Sequence, residues 1–203
     1  MLHLADMEFD PFRKRISELN QLAPKKGRAL VAEPFMQDPY FKRSVVLLSE
    51  YQKEGVVGFI LNHPLQITFS ELLEEFPDFN APIFLGGPVQ AQSLFYIHSR
   101  PDLLEGSTEI KEGVYWNGSF DQLKENISKK TIQHEEIKFF LGYSGWDYDQ
   151  LKDELDVNSW FIQDIKADYI LEKHTDELWR NVVTEADKAI ARMVNFPENP
   201  SLN

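Results

Sequence analysis

Residues 139–161, FFLGYSGWDYDQLKDELDVNSWF, place a buried strand, a glycine-flanked turn, an acidic helix and the start of a second aromatic strand in direct succession. Small and aromatic residues crowd together at the strand-to-helix turn, which makes Leu141 to Trp146 the first candidate site. Gly142 and Gly145 allow a sharp turn, and either is free to take positive φ. Ser144-Gly-Trp-Asp147 reads as a capping box, with Ser144 as N-cap and Asp147 at the third helical position. A serine nucleophile on a strand-to-helix turn is expected in a G-x-S-x-G setting, whereas here glycine directly follows Ser144. The capping role is therefore the better reading of Ser144. Asp147 and Asp149 suit the helix dipole but would repel an incoming anion. Tyr148, Leu151 and Leu155 fall on the buried side of the helix. Gln150 and Glu154 are neighbours four residues apart, read as a solvated acidic face rather than a general base.

The rest of the chain supplies the sheet that this segment enters. Asp10-Pro11 opens a first helix whose stripe of Phe12, Ile16, Leu19 and Leu22 runs up to Pro24. Residues 28–32 form the first strand. A loop follows over 33–41, with two prolines and three aromatics that plug it onto the core. Residues 44–49 and 55–61 are β-branched and almost wholly apolar, and the polar turn Glu50 to Glu54 joins them into a hairpin buried on both faces. Gly58 inside the second strand marks a bulge or the close approach of another backbone. Thr68-Phe-Ser-Glu71 is a capping box for a helix carrying Leu72, Leu73 and Phe76 as far as Pro77. Short strands are expected at 83–85, 94–97 and 114–116, and an edge strand at 168–171. Ser119 caps a helix to about residue 130 with Phe120, Leu123 and Ile127 inward. A last helix, about 176–195, aligns Trp179, Val182, Val183, Ala186, Ile190 and Met193 on one stripe. The whole of 1–203 is read as a single domain, with 1–24 a helical N-terminal extension and 196–203 a loose C-terminal tail.

Composition narrows the partners. Acidic residues outnumber basic ones 33 to 21, a formal charge of −12. A field of that sign opposes phosphate backbones, and the short basic groups at 13–15 and 25–28 do not reverse it, so direct nucleic-acid binding is not expected. The chain has no cysteine, which removes thiolate metal sites and cysteine nucleophiles. The first twenty residues are interrupted by acids, unlike a secretory signal, and no apolar run reaches a membrane-spanning length of about 20 residues. A cytoplasmic protein without membrane contact is the expectation.

Other residues are candidates for chemistry. Gly86-Gly87-Pro88-Val89 follows a buried strand and offers close backbone approach, but it lacks the spacing of a nucleotide-binding loop, and a tight turn is favoured. His98 and His63 are the histidines expected to titrate near neutrality, and the five dispersed histidines are read as hydrogen-bonding rather than zinc-binding. A triad of His98, Asp147 and Ser144 is the least favoured arrangement. No catalytic residue, metal or cofactor is assigned.

These same residues carry a family resemblance. Ala32-x-Pro34, Asp38-Pro39-x-Phe41, Ser44-Val45, Gly58-x-x-Leu61-Asn62-x-Pro64, Gly86-Gly87-Pro88-Val89, His98, Gly142-Tyr143-x-Gly145-Trp146, Gln150-Leu151, Glu154 and Trp160 occur in this order. The pattern resembles the AlgH/YqgE family of bacterial proteins over roughly residues 27 to 185. The resemblance implies an α+β fold: a mixed, coiled and bifurcated β-sheet forming an open barrel-like body with helices packed around it. It also implies a role in transcriptional regulation; no enzymatic activity or cofactor is established for that family. Two departures stand out, His63 where the family commonly has arginine and Asp149 where it commonly has glycine.

The combined expectation is a non-catalytic binding or regulatory protein with an unknown protein or small-molecule partner. Its groove would be built from Asn62, Gly86, Gly87, His98, Tyr143, Ser144 and Trp146. The alternative is an enzyme, hydrolase-like or transforming a small molecule, with His98 as base in that groove. Both require the chain reversals near 62, 87 and 145 to converge.

Overall fold

The computed structural model describes residues 18–19, 21–73, 76 and 78–186. The N-terminal extension over 1–24 therefore lies largely outside the described residues, as do the C-terminal part of the last helix and the tail over 196–203. Ten strands form an α+β body with five α-helices among the described residues.

Apolar, β-branched sequence builds the first half of the sheet. β1 (Ala29–Ala32) is buried throughout and pairs antiparallel with both β2 (Val45–Gln52) and β10 (Trp160–Gln163). β2 and β3 (Gly55–Ile60) form the expected hairpin, with a register shift between Leu48 and Glu50. Gly58 lies opposite that irregularity. A Cβ there would meet Val46 Cγ1 at 2.8 Å and the Leu47 carbonyl oxygen at 2.9 Å, so the close approach read from the sequence is real.

β9 (Ile137–Trp146) is the node at which the sheet divides. One edge pairs along most of its length with β6 (Val89–His98), antiparallel. The other edge is shared between two strands. Gly145 and its neighbours pair antiparallel with β3, whereas Phe139 to Leu141 pair in parallel with β5 (Pro82–Leu85). β4 (Pro64–Thr68) then pairs with β5 only. β8 (Val114–Trp116) and β7 (Thr108–Lys111) continue the sheet beyond β6. The order β10-β1-β2-β3-β9-β6-β8-β7, with the β4–β5 branch, is mixed, bifurcated and not closed.

The helices cover both faces. α1 (Phe69–Leu72) and α2 (Phe120–Ser128) bury Phe69, Leu123 and Ile127 against Ile83, Ile137 and Phe139. α3 (Tyr148–Asp156) lays Leu151 on Val46, Val56 and Trp160. α4 (Ala167–Leu171) and α5 (Leu178–Ala186) pack Ile170, Trp179, Val182 and Val183 onto the concave face around Phe59, Phe84 and Phe140.

Several local expectations are corrected. Residues 168–171 are helical, in α4, and not an edge strand: Ile170 alone is buried there, a pattern of one residue per turn rather than of alternation. Ser144 is not a helix cap. Pairing of Val56 with Trp146 and of Gly58 with Ser144 extends β9 past it, and Asp147 becomes the N-cap of α3. The capping box at Thr68 is present, but its helix ends at Leu72, before Phe76. Phe120 is 42% exposed rather than inward. β4 and β7 were not foreseen, because each is short and only partly buried.

Candidate functional site

The segments near 62, 87 and 145 meet at the division of the sheet, but only the one at Gly86-Gly87 reverses the chain: β3 and β4 run in the same sense on either side of Asn62, and β9 continues through Gly145 to Trp146. The Ile60 amide donates to the Gly86 carbonyl at 3.0 Å, and the Leu85 amide to the His63 carbonyl at 2.8 Å. Ser144 Oγ donates to the same Gly86 carbonyl at 2.9 Å. Glycine is required on both sides of this contact. A Cβ on Gly86 would fall on the Gly142 carbonyl oxygen, and one on Gly87 on the backbone and hydroxyl of Ser144. Gly142 itself has φ +68 and faces the Gly87 and Val89 carbonyls. This left-handed residue also resets the alternation of β9, so Phe140 and Tyr143, three apart, both contact the concave core.

Each predicted residue can now be placed. Asn62 ties the β3–β4 connection to the start of β2, with its Oδ1 accepting from the Val45 amide (2.9 Å) and its Nδ2 donating to the Arg43 carbonyl (2.9 Å). Gly86 and Gly87 form the floor of the junction. Ser144 is fully buried and committed to Gly86. Tyr143 is half-buried and meets the ring of Phe95 edge-on at 5.7 Å. The Trp146 indole is buried on the opposite, α3-covered face, in contact with Phe41 at 5.5 Å and Trp160 at 6.0 Å. Exposed Gln90, Ala91 and Gln92 of β6 border the junction beside Gly142 and Tyr143. The surface clefts between α1 and α2, beside α3 and around Lys173 include none of the seven predicted residues.

His98 is the residue that the fold does not bring to the junction. It pairs opposite Ile137, while Tyr143 lies six positions further along β9, a separation of about 20 Å at about 3.3 Å per residue. Its ring is fully buried. Nδ1 accepts from the Arg100 amide at 3.1 Å, which assigns the proton to Nε2, 2.8 Å from the Asn117 carbonyl. Ser107 Oγ lies 3.1 Å from Nε2 but donates to the Leu104 carbonyl. Burial lowers the pKa of His98, opposed by its bond to Asn117 and by the charge of Asp102. A neutral imidazole that donates through Nε2 anchors the loop after β6; it has no lone pair to offer Ser107 there.

Ser144, Asn62 and Trp146 thus commit their polar groups within the fold, to Gly86, to Val45 and Arg43, and to Glu154. Among the described residues no group of three or more His, Asp or Glu side chains is arranged to hold a metal ion. The arrangement can present shape, backbone and the Tyr143 ring; it brings no nucleophile and base together.

Two features escaped the sequence reading. Glu154 Oε2 accepts from both buried indoles, Trp160 Nε1 at 2.7 Å and Trp146 Nε1 at 3.1 Å. It is a structural acceptor beneath α3, not part of a solvated acidic face. Lys138 is fully buried, its ammonium position 4.0 Å from the Phe84 ring centroid. The available signal was a lone lysine within the apolar run of β9, two residues from Phe140 and so on the same face.

Comparison with known proteins agrees with this architecture. A structure of protein DIP2367 from Corynebacterium diphtheriae superposes with a TM-score of 0.75 over 90% of this chain and 97% of that one, at 18% identity, a likeness of fold. The solution structure of the AlgH protein from Pseudomonas aeruginosa superposes with a TM-score of 0.63 at 28% identity, covering 87% of this chain and 93% of that one. A UPF0301 protein of Cytophaga hutchinsonii is 41% identical over 180 residues, 88% of this chain and 98% of its own length. Another, of Chlorobium limicola, is 37% identical over 188 residues, 93% of this chain and all of its own. With residues 29–191 also matching the AlgH-like family model, a span that takes in every strand of the sheet, the chain belongs to the AlgH-like family.

Proposed function

We propose that the chain is a non-catalytic, cytoplasmic binding protein with a regulatory role. Its partner, a protein or a small molecule, would engage the surface around Tyr143 and Gly145, with Asn62, Gly86, Gly87, Ser144 and Trp146 setting the backbone beneath. One observation carries the reading: the segments around 62, 87 and 145 pack together there with their hydrogen bonds turned inward, from Ile60 and Ser144 to Gly86 and from Leu85 to His63. What such a junction leaves outward is a rigid backbone shape, an aromatic ring and the exposed polar edge of β6. Rigid aromatic area is what binding surfaces use for affinity. The regulatory part rests on the family resemblance. The charge of −12 favours a partner other than nucleic acid. The rival reading, an enzyme with His98 as base, has against it the position of that ring at the far end of β9.

The test is partner capture on the immobilised protein, comparing wild type with Tyr143→Ala and Gln92→Arg. Partners retained by wild type are expected to be lost from both variants. Gln92 is exposed, so its variant keeps the thermal midpoint and isolates recognition from folding. Undiminished capture by both folded variants would remove this surface from consideration.

A further inference from the structure

At the opposite end of β9 two lysines are tied to each other's backbone. Lys138 Nζ donates to the Glu172 carbonyl at 2.6 Å, and Lys173 Nζ donates to the Ile137 carbonyl. Each amine therefore reaches the residue just before the other lysine. Lys138 is sealed in the core over the Phe84 ring. The Glu172 carboxylate is turned to the amides of Lys173 (2.7 Å) and His174 (2.8 Å) rather than to Lys138. Burial, and then the neighbouring ammonium of Lys173, hold Lys138 well below the usual lysine range.

Lys173 sits differently. It is half-buried and lines a cleft of about 460 Å³ together with Ser99, Glu135, Asp168 and Glu172. Burial pushes it down to about 8, with Glu135 and Glu172 acting in the opposite direction. A lysine partly removed from water and open to a cavity is the setting in which an amine becomes a nucleophile near neutral pH.

We propose that Lys173 is a nucleophilic amine that captures a small uncharged carbonyl compound, such as a hydroxyaldehyde, reversibly as an imine in this cleft. The neutral Nζ attacks the carbonyl carbon, a C–N bond forms, and the carbonyl π pair passes to oxygen. The nitrogen gives up a proton, which the oxygen gains, leaving a carbinolamine. Loss of that hydroxyl as water, with one further proton from nitrogen, gives the imine; hydrolysis reverses it, and no redox partner is needed. Glu135, whose charge acts on Lys173, is the cleft carboxylate suited to carry those protons. Size follows from the cavity. Absence of charge follows from its wall, because Glu135, Asp168 and Glu172 oppose a carboxylate or phosphate on the ligand. This site lies at the end of β9 remote from Tyr143 and stands independently of the binding surface proposed there.

The experiment is reductive trapping on the full chain. Glycolaldehyde and cyanoborohydride are added at pH 8, and the hydroxyethylated lysines are located by peptide mapping. At that pH roughly half of an amine titrating near 8 is unprotonated, against under about 1% of an ordinary lysine. Lys173 is expected to be labelled at least about tenfold faster than exposed Lys129. Pyruvate, which carries a carboxylate, is expected to give no such preference. Lys173→Arg keeps the cation and the donor to Ile137 but should lose the fast-labelled peptide while Lys129 is unchanged. Wild-type Lys173 labelled no faster than Lys129 would overturn the proposal, and the wild-type map decides this without any variant. Equal preference with pyruvate would overturn the uncharged class.

Discussion

Glu154 shows how a single side chain can be read wrongly when its neighbours are distant in sequence. Its spacing from Gln150 is that of an exposed helical pair, and the pair does form, Gln150 Nε2 donating to Glu154 Oε1 at 2.9 Å. The other carboxylate oxygen, however, holds the indoles of Trp146 and Trp160, which are 5% and 1% exposed. Removing the acceptor strands two buried N–H groups, each at a cost of about 1–3 kcal/mol. Glu154→Ala is expected to lose about 2–4 kcal/mol in urea unfolding, and Glu154→Gln, which keeps an acceptor oxygen, clearly less. Glycines separate in the same way. Gly142 and Gly106 both have positive φ, but a Cβ on Gly142 meets two carbonyl oxygens and one on Gly106 meets nothing within 4 Å. Alanine at 106 should cost about 1–2 kcal/mol of backbone strain. Alanine at 142 should cost about 3 kcal/mol or more, since overpacking adds to that strain.

The lysine pair makes a prediction in pH. Lys138 and Lys173 both have lowered pKa values in the fold, Lys173 at about 8, whereas an unfolded lysine titrates near about 10.4. Between those values the unfolded chain binds more protons than the folded one, so stability rises with pH. Chemical unfolding midpoints are expected to increase from pH 8 to 10, and less steeply in Lys173→Met, where only the Lys138 contribution remains. Above about pH 10 the direction reverses as unfolded tyrosines ionise, because burial holds Tyr96 up to about 12 in the fold.

Among the elements, the hairpin β2–β3 and the capped helix α2 were legible because their signals are local: β-branched runs on either side of a polar turn, and a serine followed by an amphipathic stripe. β9 was legible only in part. Its core at Phe139 to Leu141 is apolar enough to declare itself, but its continuation through Tyr143-Ser144-Gly145 is imposed by β3 lying alongside. Local reading stopped the strand at the first glycine, and thereby placed the cap of α3 at Ser144 instead of Asp147. The correct N-cap has a measurable consequence. The Asp147 amide donates to Gln150 Oε1 at 3.4 Å, and its carboxylate stands at the start of α3. Asp147→Ala is expected to destabilise by about 1 kcal/mol, with faster amide exchange confined to the first turn of α3. Ser144→Ala removes one donor from Gly86, which keeps its bond from Ile60, so its cost is expected to stay near about 1 kcal/mol and to leave α3 exchange unchanged. The same contrast explains the candidate site. The convergence of 62, 87 and 145 comes from β3 and β5 both pairing with β9, and the distance of His98 comes from the register of β6 on the same strand; no short motif encodes either.

At the scale of the whole molecule, the open sheet poses a question of how its two terminal strands are kept together. β7 and β10 are not hydrogen-bonded to one another, yet the coil of the sheet brings their ends close. Gly27, just before β1, shows the same approach, since a Cβ there would meet the Ile110 carbonyl oxygen at 3.0 Å. Lys111 at the end of β7 crosses the gap, with Nζ donating to Asp164 Oδ1 at 2.9 Å and to the Ile165 carbonyl at 2.7 Å, just past β10. That bond and charge hold the Asp164 carboxyl below its ordinary range. Asp164 is largely exposed, so the ionic part is modest and screened by salt. The bond to the carbonyl makes the tie geometric as well. Lys111→Met should therefore cost about 1 kcal/mol. Its more telling effect is the distribution of amide exchange, because local opening follows the weakest contacts of a structure. Protection is expected to fall in Thr108 to Lys111 and in Trp160 to Gln163 together, while Phe139 to Leu141 at the node stay protected. Raised salt should reproduce part of that loosening in wild type and none further in Lys111→Met. Uniform loss of protection across all strands would mean that the sheet is held by its central core alone, and that the crossing lysine does not join its ends.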